Sequence, residues 1–159
     1  MIRLTNLADY AVVVMAAAAR EPGARLSATR VAELTTIPAP TVAKLMGTLA
    51  RAGLLVASRG VAGGFTMTRD PATISVAAIV EAVDGPIALT SCVSGNVHDC
   101  AMEGHCAVRG HWGPINAAVR GALAAVTLAD LLQQPAPKGA AFPGAAVAGV
   151  APAVTLVDG

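Results

Sequence analysis

The sequence predicts a mainly α-helical fold with a small β-hairpin: a winged helix-turn-helix domain followed by a long C-terminal dimerisation helix. Apolar residues recur at three- and four-residue steps through successive segments, the signature of helices that bury one face. Directly after the third such segment, two short apolar runs flank a glycine-bearing connection, a hairpin signature. The order helix, short helix, turn, helix, hairpin is that of a fold whose third helix reads a major groove while the hairpin touches backbone or minor groove.

Each element has its own warrant. Leu7, Tyr10, Ala11, Val14, Ala17 and Ala18 share a face of a helix over residues 6–20, which stops before Pro22-Gly23. Ser27 is a plausible N-cap for a short helix to about residue 34, with Val31 and Leu34 inward. After the turn "TTIPAP", Pro40 suits the first turn of a helix, where its missing N–H would be unpaired anyway. That helix runs to about residue 52, with Gly53 as a left-handed cap. Val42, Leu45, Met46 and Leu49 form its inward stripe, leaving Thr41, Lys44, Thr48 and Arg51 outward, a face of hydroxyls and cations able to enter a DNA groove. Residues 54–58 and 65–68 are the expected strands, with Arg59 at the hairpin tip. Further helices are expected over 74–83, with Ser75 near its start, over 114–125, and over 128–133 behind Thr127. The alanine-rich stripe of the 114–125 helix predicts a homodimer, because a second copy is the simplest cover for it.

These elements divide the chain into a DNA-binding domain (1–84), a cysteine-rich loop (85–113), a dimerisation helix with a short terminal helix (114–134), and a Pro/Ala/Gly-rich tail (135–159) expected to be disordered. Charge follows the same division. Residues 1–69 hold eight Arg or Lys against three acidic residues, whereas the remainder holds three against seven, so the overall +1 conceals a basic half suited to a polyanion.

Membrane and export readings are weak. The uncharged run 10–19 falls short of the roughly 20 residues a span requires. Asp9 beside it cancels the positive charge an export signal needs. Residues 139–157 contain Pro143 and Pro152, which break a spanning helix. The glycines of "RGVAGG" open a strand rather than a helix, unlike a nucleotide-binding loop. No nucleophile and base stand at a suggestive spacing, so no enzyme is expected.

The segment "CVSGNVHDCAMEGHC", residues 92–106, holds all three cysteines, spaced Cys92-x7-Cys100-x5-Cys106, together with His98 and His105. A disulfide would leave one thiol over, and a polar, glycine-bearing loop is poor material for inert buried cysteines. Three thiolates from one loop plus a fourth ligand from elsewhere suit a tetrahedral zinc site or an iron-sulfur cluster, although the paired Cys-x2-Cys knuckles common in structural zinc sites are absent.

Taken in order, "RLTNLADYAVVVMAAAA", "IPAPTVAKLMGTLARAGLL", "SRGVAGGFTMTR", "ISVAAIVEAVDGP", the three cysteines, a tryptophan and "TLADLL" resemble the Rrf family of bacterial regulators over about residues 2–133. The likeness is greatest to the regulators of SUF-type iron-sulfur assembly. It implies a cytoplasmic, homodimeric winged-helix repressor or activator of cluster-assembly genes, with Cys92, Cys100 and Cys106 ligating a 2Fe-2S or 4Fe-4S cluster. In one branch of the family a histidine three residues after the last cysteine completes the site; this chain has Arg109 there, which cannot ligate. In another branch an aspartate of the partner subunit's first helix does so, and Asp9 occupies the matching position, although a carboxylate in a first turn is also what the helix dipole favours. His111 and an exchangeable small ligand are the other candidates. Two alternatives stand beside this reading: a nitric oxide-sensing repressor of the same family, and a zinc-stabilised interaction module.

Overall fold

A computed structural model describes residues 3–60, 63–93 and 105–133. Helix α1 (Asn6–Ala19) opens on Thr5, whose Oγ1 accepts the Ala8 amide at 3.0 Å and donates to the Asp84 carboxylate. Ala8, Ala11, Val14, Met15 and Ala18 of α1 are buried, and these mostly small side chains let α4 (Val76–Asp84) pack closely across it. Ser75 caps α4 by accepting the Ala78 amide.

Ser27 caps α2 (Ala28–Thr35) through the Arg30 amide, and Thr36 turns the chain with a left-handed φ of 59°. Helix α3 (Ala39–Arg51) carries Pro40 in its first turn and buries Val42, Leu45, Met46 and Leu49. It ends at Gly53 (φ 73°), where the Leu54 amide reaches the Leu49 carbonyl at 2.9 Å and the Gly53 amide reaches that of Ala50 at 3.0 Å. Leu54 and Leu55 are buried by this closure and lie ahead of the sheet rather than in it. The strands are therefore shorter than expected, β1 (Val56–Ser58) pairing antiparallel with β2 (Gly64–Thr66) as Val56 to Thr66, Ala57 to Phe65 and Ser58 to Gly64. On the other side of β2 Leu26 forms a single bridge, exchanging both backbone hydrogen bonds with Phe65 at 2.9 Å.

After a 3-10 turn at Pro71–Thr73 come α4, a second such turn at Ser91–Val93, α5 (Arg109–Ala125) and α6 (Leu128–Leu132). Helix α5 begins five residues before the expected Pro114, which therefore lies inside it. There proline removes one helical hydrogen bond and crowds the carbonyl four residues back, both confined to the second turn of α5. Thr127 and Asp130 form a reciprocal capping box on α6, the amide of Leu128 bonds the Ile74 carbonyl at 2.7 Å, and that of Val76 bonds the Val126 carbonyl at 2.9 Å. Leu128 is thereby fully buried with Met15, Met46, Leu49, Ile74 and Ile79, so the short last helix closes the core that carries α3. Leu34, expected inward, is 44% exposed: α2 is short and buries only Val31, leaving Leu34 on an open rim beside Val13. No described helix is long and apolar enough to cross a membrane. The tail from residue 134 onward lies outside the described residues.

Candidate nucleic-acid interface and cysteine segment

The buried stripe of α3 fixes which side faces out. Lys44 and Arg51 are exposed, and Thr41 and Thr48 are half-buried at their sides. Arg51 is folded along the helix, its Nη2 donating to Thr48 Oγ1 at 2.9 Å, while a Cβ on Gly47 would meet Arg51 Nη1 at 3.7 Å. The guanidinium thus lies along the helix beside Gly47, and keeps further N–H groups for an acceptor.

Exposed Arg59 follows the last residue of β1, Ser58, at the wing tip. The tip is closed by the Gly63 amide on the Gly60 carbonyl at 2.8 Å, with Gly60 at φ 105°. A Cβ at Gly63 would lie 2.7 Å from both the Gly60 and Ser58 carbonyl oxygens, so only glycine fits this turn. Arg59 therefore stands between the end of β1 and the Gly60–Gly63 closure.

Two of the three cysteines are described. Cys92 is half-buried in the 3-10 turn that packs against α5, with Sγ 3.1 Å from Thr90 Oγ1. Cys106, also half-buried, stands three residues ahead of α5, and neither is in a disulfide. Cys100 and His98 lie outside the described residues, and among the described ones no group of three or more His, Cys, Asp or Glu gathers to hold a metal. Asp9 is exposed in the first turn of α1, and His111 is exposed in the first turn of α5.

Residues separated widely in sequence hold this segment to the domain. Asn116 of α5 accepts the Leu89 amide and donates to the Ile87 carbonyl, both at 2.9 Å, pinning the strip that leads to Cys92. Glu81 of α4 is gripped by Arg120 of α5 through two hydrogen bonds. That grip is the main cause holding the Glu81 carboxyl below its ordinary range, opposed by partial burial and aided by a bond from the Ile87 backbone. Neither Asn116 nor the Glu81 pair is signalled by any local pattern.

On the outer side of α5, Ile115 is 46% exposed and Ala118 and Ala122 are open, as is Val108 just ahead of the helix at 54%, while Leu123 packs inward against Val76, Val80 and Ala8. The apolar stripe expected on this helix is therefore split, one edge serving the chain's own core and the other left uncovered.

Residues 4–134 match the Rrf2 family, described as an iron-dependent transcriptional regulator. The chain is 30% identical over 136 residues to a Neisseria meningitidis protein named as an HTH-type transcriptional regulator, covering 84% of this chain and 89% of that one. It is 29% identical to the HTH-type transcriptional repressor NsrR of Streptomyces coelicolor, covering 84% and 90%. Among solved structures it resembles CymR, the global cysteine regulator of B. subtilis, with a TM-score of 0.63 and 25% identity over 83% of this chain and 97% of that one. The T. potens IscR structure shares the fold with a TM-score of 0.57, covering 82% and 86% at 24% identity.

Proposed function

Because this chain belongs to the Rrf2 family of transcriptional regulators, we propose that it is a DNA-binding regulator whose operator occupancy is set by an iron-sulfur cluster on Cys92, Cys100 and Cys106. It acts as a cytoplasmic homodimer and controls genes of iron-sulfur cluster assembly. Thr41, Lys44, Thr48 and Arg51 address the major groove and Arg59 the backbone or minor groove.

The observation that carries this reading is the position of the two described thiols. Cys92 lies in the turn that packs against α5 and Cys106 stands three residues ahead of that helix, so a centre held by both would be tied to the helix whose open edge suits a second copy. The donor set fits: thiols outside any disulfide, with Asp9 and His111 exposed as candidates for a fourth position. When bound, a cluster supplies a cross-link that exists only while iron and sulfide are available. The chain's own residues carry the consequence onward. Asn116 links α5 to the strip before Cys92, Arg120 links α5 to α4, and α4 packs on α1 and α3. A shift of α5 would therefore alter the spacing of two recognition helices, which an operator with two half-sites reads directly.

The test compares operator binding by protein purified without oxygen, before and after removal of its iron and sulfide. A change in affinity of tenfold or more in either direction supports the reading, and identical binding contradicts it.

A second reading, a nitric oxide sensor, is favoured by Asp9 at its first-turn position and by the similarity to NsrR. Anaerobic titration with nitric oxide discriminates. Release of the operator at stoichiometric gas supports the sensor, whereas release only on iron depletion supports the assembly regulator.

A further inference from the structure

We propose that the groove between the start of α2 and the wing is a second contact for duplex DNA, in which Arg25 and Arg30 hold phosphates outside the reach of α3 and the wing tip. The proposal rests on the DNA-binding reading and extends its footprint.

The groove has a volume of about 680 Å³ and is lined by Gly23, Arg25, Ser27, Arg30, Gly63 and Thr66, with no acidic residue among them. Backbone pairing builds it. Leu26 and Phe65 exchange both hydrogen bonds at 2.9 Å, which brings Arg25 alongside β2. A Cβ at Gly64 would lie 2.8 Å from the Leu26 carbonyl and 2.9 Å from Arg25 Cγ, so this approach exists only because residue 64 lacks a side chain. Arg25 is thus set against the wing rather than left to swing from a loop.

Arg30 lies in the first turn of α2 on the other wall. Its Nη1 is 3.5 Å from Glu33 Oε2, with side chains 52% and 63% exposed. Such a pair is weak in water, and a phosphate can compete for the guanidinium. The Ser27 hydroxyl already accepts the Arg30 amide, so the two guanidinium groups supply the attraction.

Gly63 joins this groove to the wing, because it lines the one and closes the tip of the other on Gly60. A duplex carries about one charge per 1.7 Å of axis, so a wing resting on DNA brings phosphates to cations along its flank. Arginine suits them better than lysine, since its fork can grip two phosphate oxygens at once.

The test uses the full-length protein and a duplex that the wild type enriches from a random-sequence library. Affinity is measured over a series of salt concentrations. The R25Q/R30Q variant is expected to flatten the dependence of log K on log salt by about 2 per bound chain, with base preference unchanged. R25K/R30K, keeping the charge, is expected to retain most of the wild-type slope. Because Arg25 lies against the wing, R30Q alone must flatten the slope by about 1. A wild-type slope in R25Q/R30Q overturns the proposal, and so does a loss confined to variants at Arg25, which would trace to a displaced wing. Enrichment of no duplex by the wild type would take the DNA-binding reading down as well, whereas the two preceding results leave that reading standing.

Discussion

Arg120 grips Glu81 across the contact of α5 with α4, with Nε at 2.6 Å from Oε1 and Nη2 at 3.0 Å from Oε2. The two residues are 39 apart in sequence, and their pairing fixes the helix behind the cysteine segment to the helix that packs on α1. The lowered carboxyl pKa of Glu81 defines when the grip holds. Its contribution is complete above the ordinary carboxyl value of 4.5 and is lost as pH falls through the lowered folded-state value.

Glu81→Gln is therefore expected to melt below the wild type at pH 7, by no more than about 4 °C because the pair is partly exposed. The difference should vanish well below pH 4.5, where the wild-type carboxyl is itself neutral. Thermal melts of both proteins between pH 3 and pH 7 check this, and a gap that persists at the acid end would assign the effect to packing instead.

Substituting the wing glycine tests the tip geometry. Gly63→Ala sets a Cβ against two carbonyl oxygens at 2.7 Å, and the wing must shift to relieve it. Operator affinity is expected to fall on the order of tenfold, equivalent to about 1.4 kcal/mol, while the core melts as before. Unchanged affinity would remove the wing from the interface. Arg59→Ala separates the modes of wing contact: a loss uniform across sequences denotes phosphate, and a relaxed preference at A·T-rich positions denotes a narrow minor groove.

Leu128→Ala probes the return of the last helix to the core. Leu128 is fully buried, and its truncation is expected to cost about 2–5 kcal/mol, with α3 losing its support together with α6. Denaturant unfolding gives the number; a cost below about 1 kcal/mol would mean that α6 is only loosely attached.

The open edge of α5 is expected to meet a second copy. Ile115→Asp places a charge on that edge without touching Leu123, which serves the chain's own core. Sedimentation should then report a monomer whose thermal stability is otherwise that of a folded domain. A dimer surviving the change would place the interface elsewhere.

Local chemistry made much of the fold legible. The α3 stripe of Val42, Leu45, Met46 and Leu49 is periodic, and Ser27, Ser75 and Thr127 are hydroxyls standing directly ahead of apolar runs, so periodicity and capping suffice for those elements. Leu34 misleads because period alone does not say how wide a buried stripe will be on an eight-residue helix. The Leu26 bridge to Phe65, the Asn116 bonds and the Glu81 pair join residues 27 to 39 positions apart, and no local pattern encodes such meetings. The thiol spacing is visible in sequence for the same reason as the caps, being local. A fourth ligand is a matter of which distant group arrives, and Asp9 and His111 sit on different helices with nothing in the chain order to choose between them.

The most direct measurement is the iron and acid-labile sulfide content of the full-length protein purified without oxygen, beside C92S, C100S and C106S variants prepared identically. The account predicts coloured wild-type protein containing iron and sulfide in equal amounts, and colourless or depleted variants. Colourless wild-type protein carrying zinc and no sulfide would contradict it.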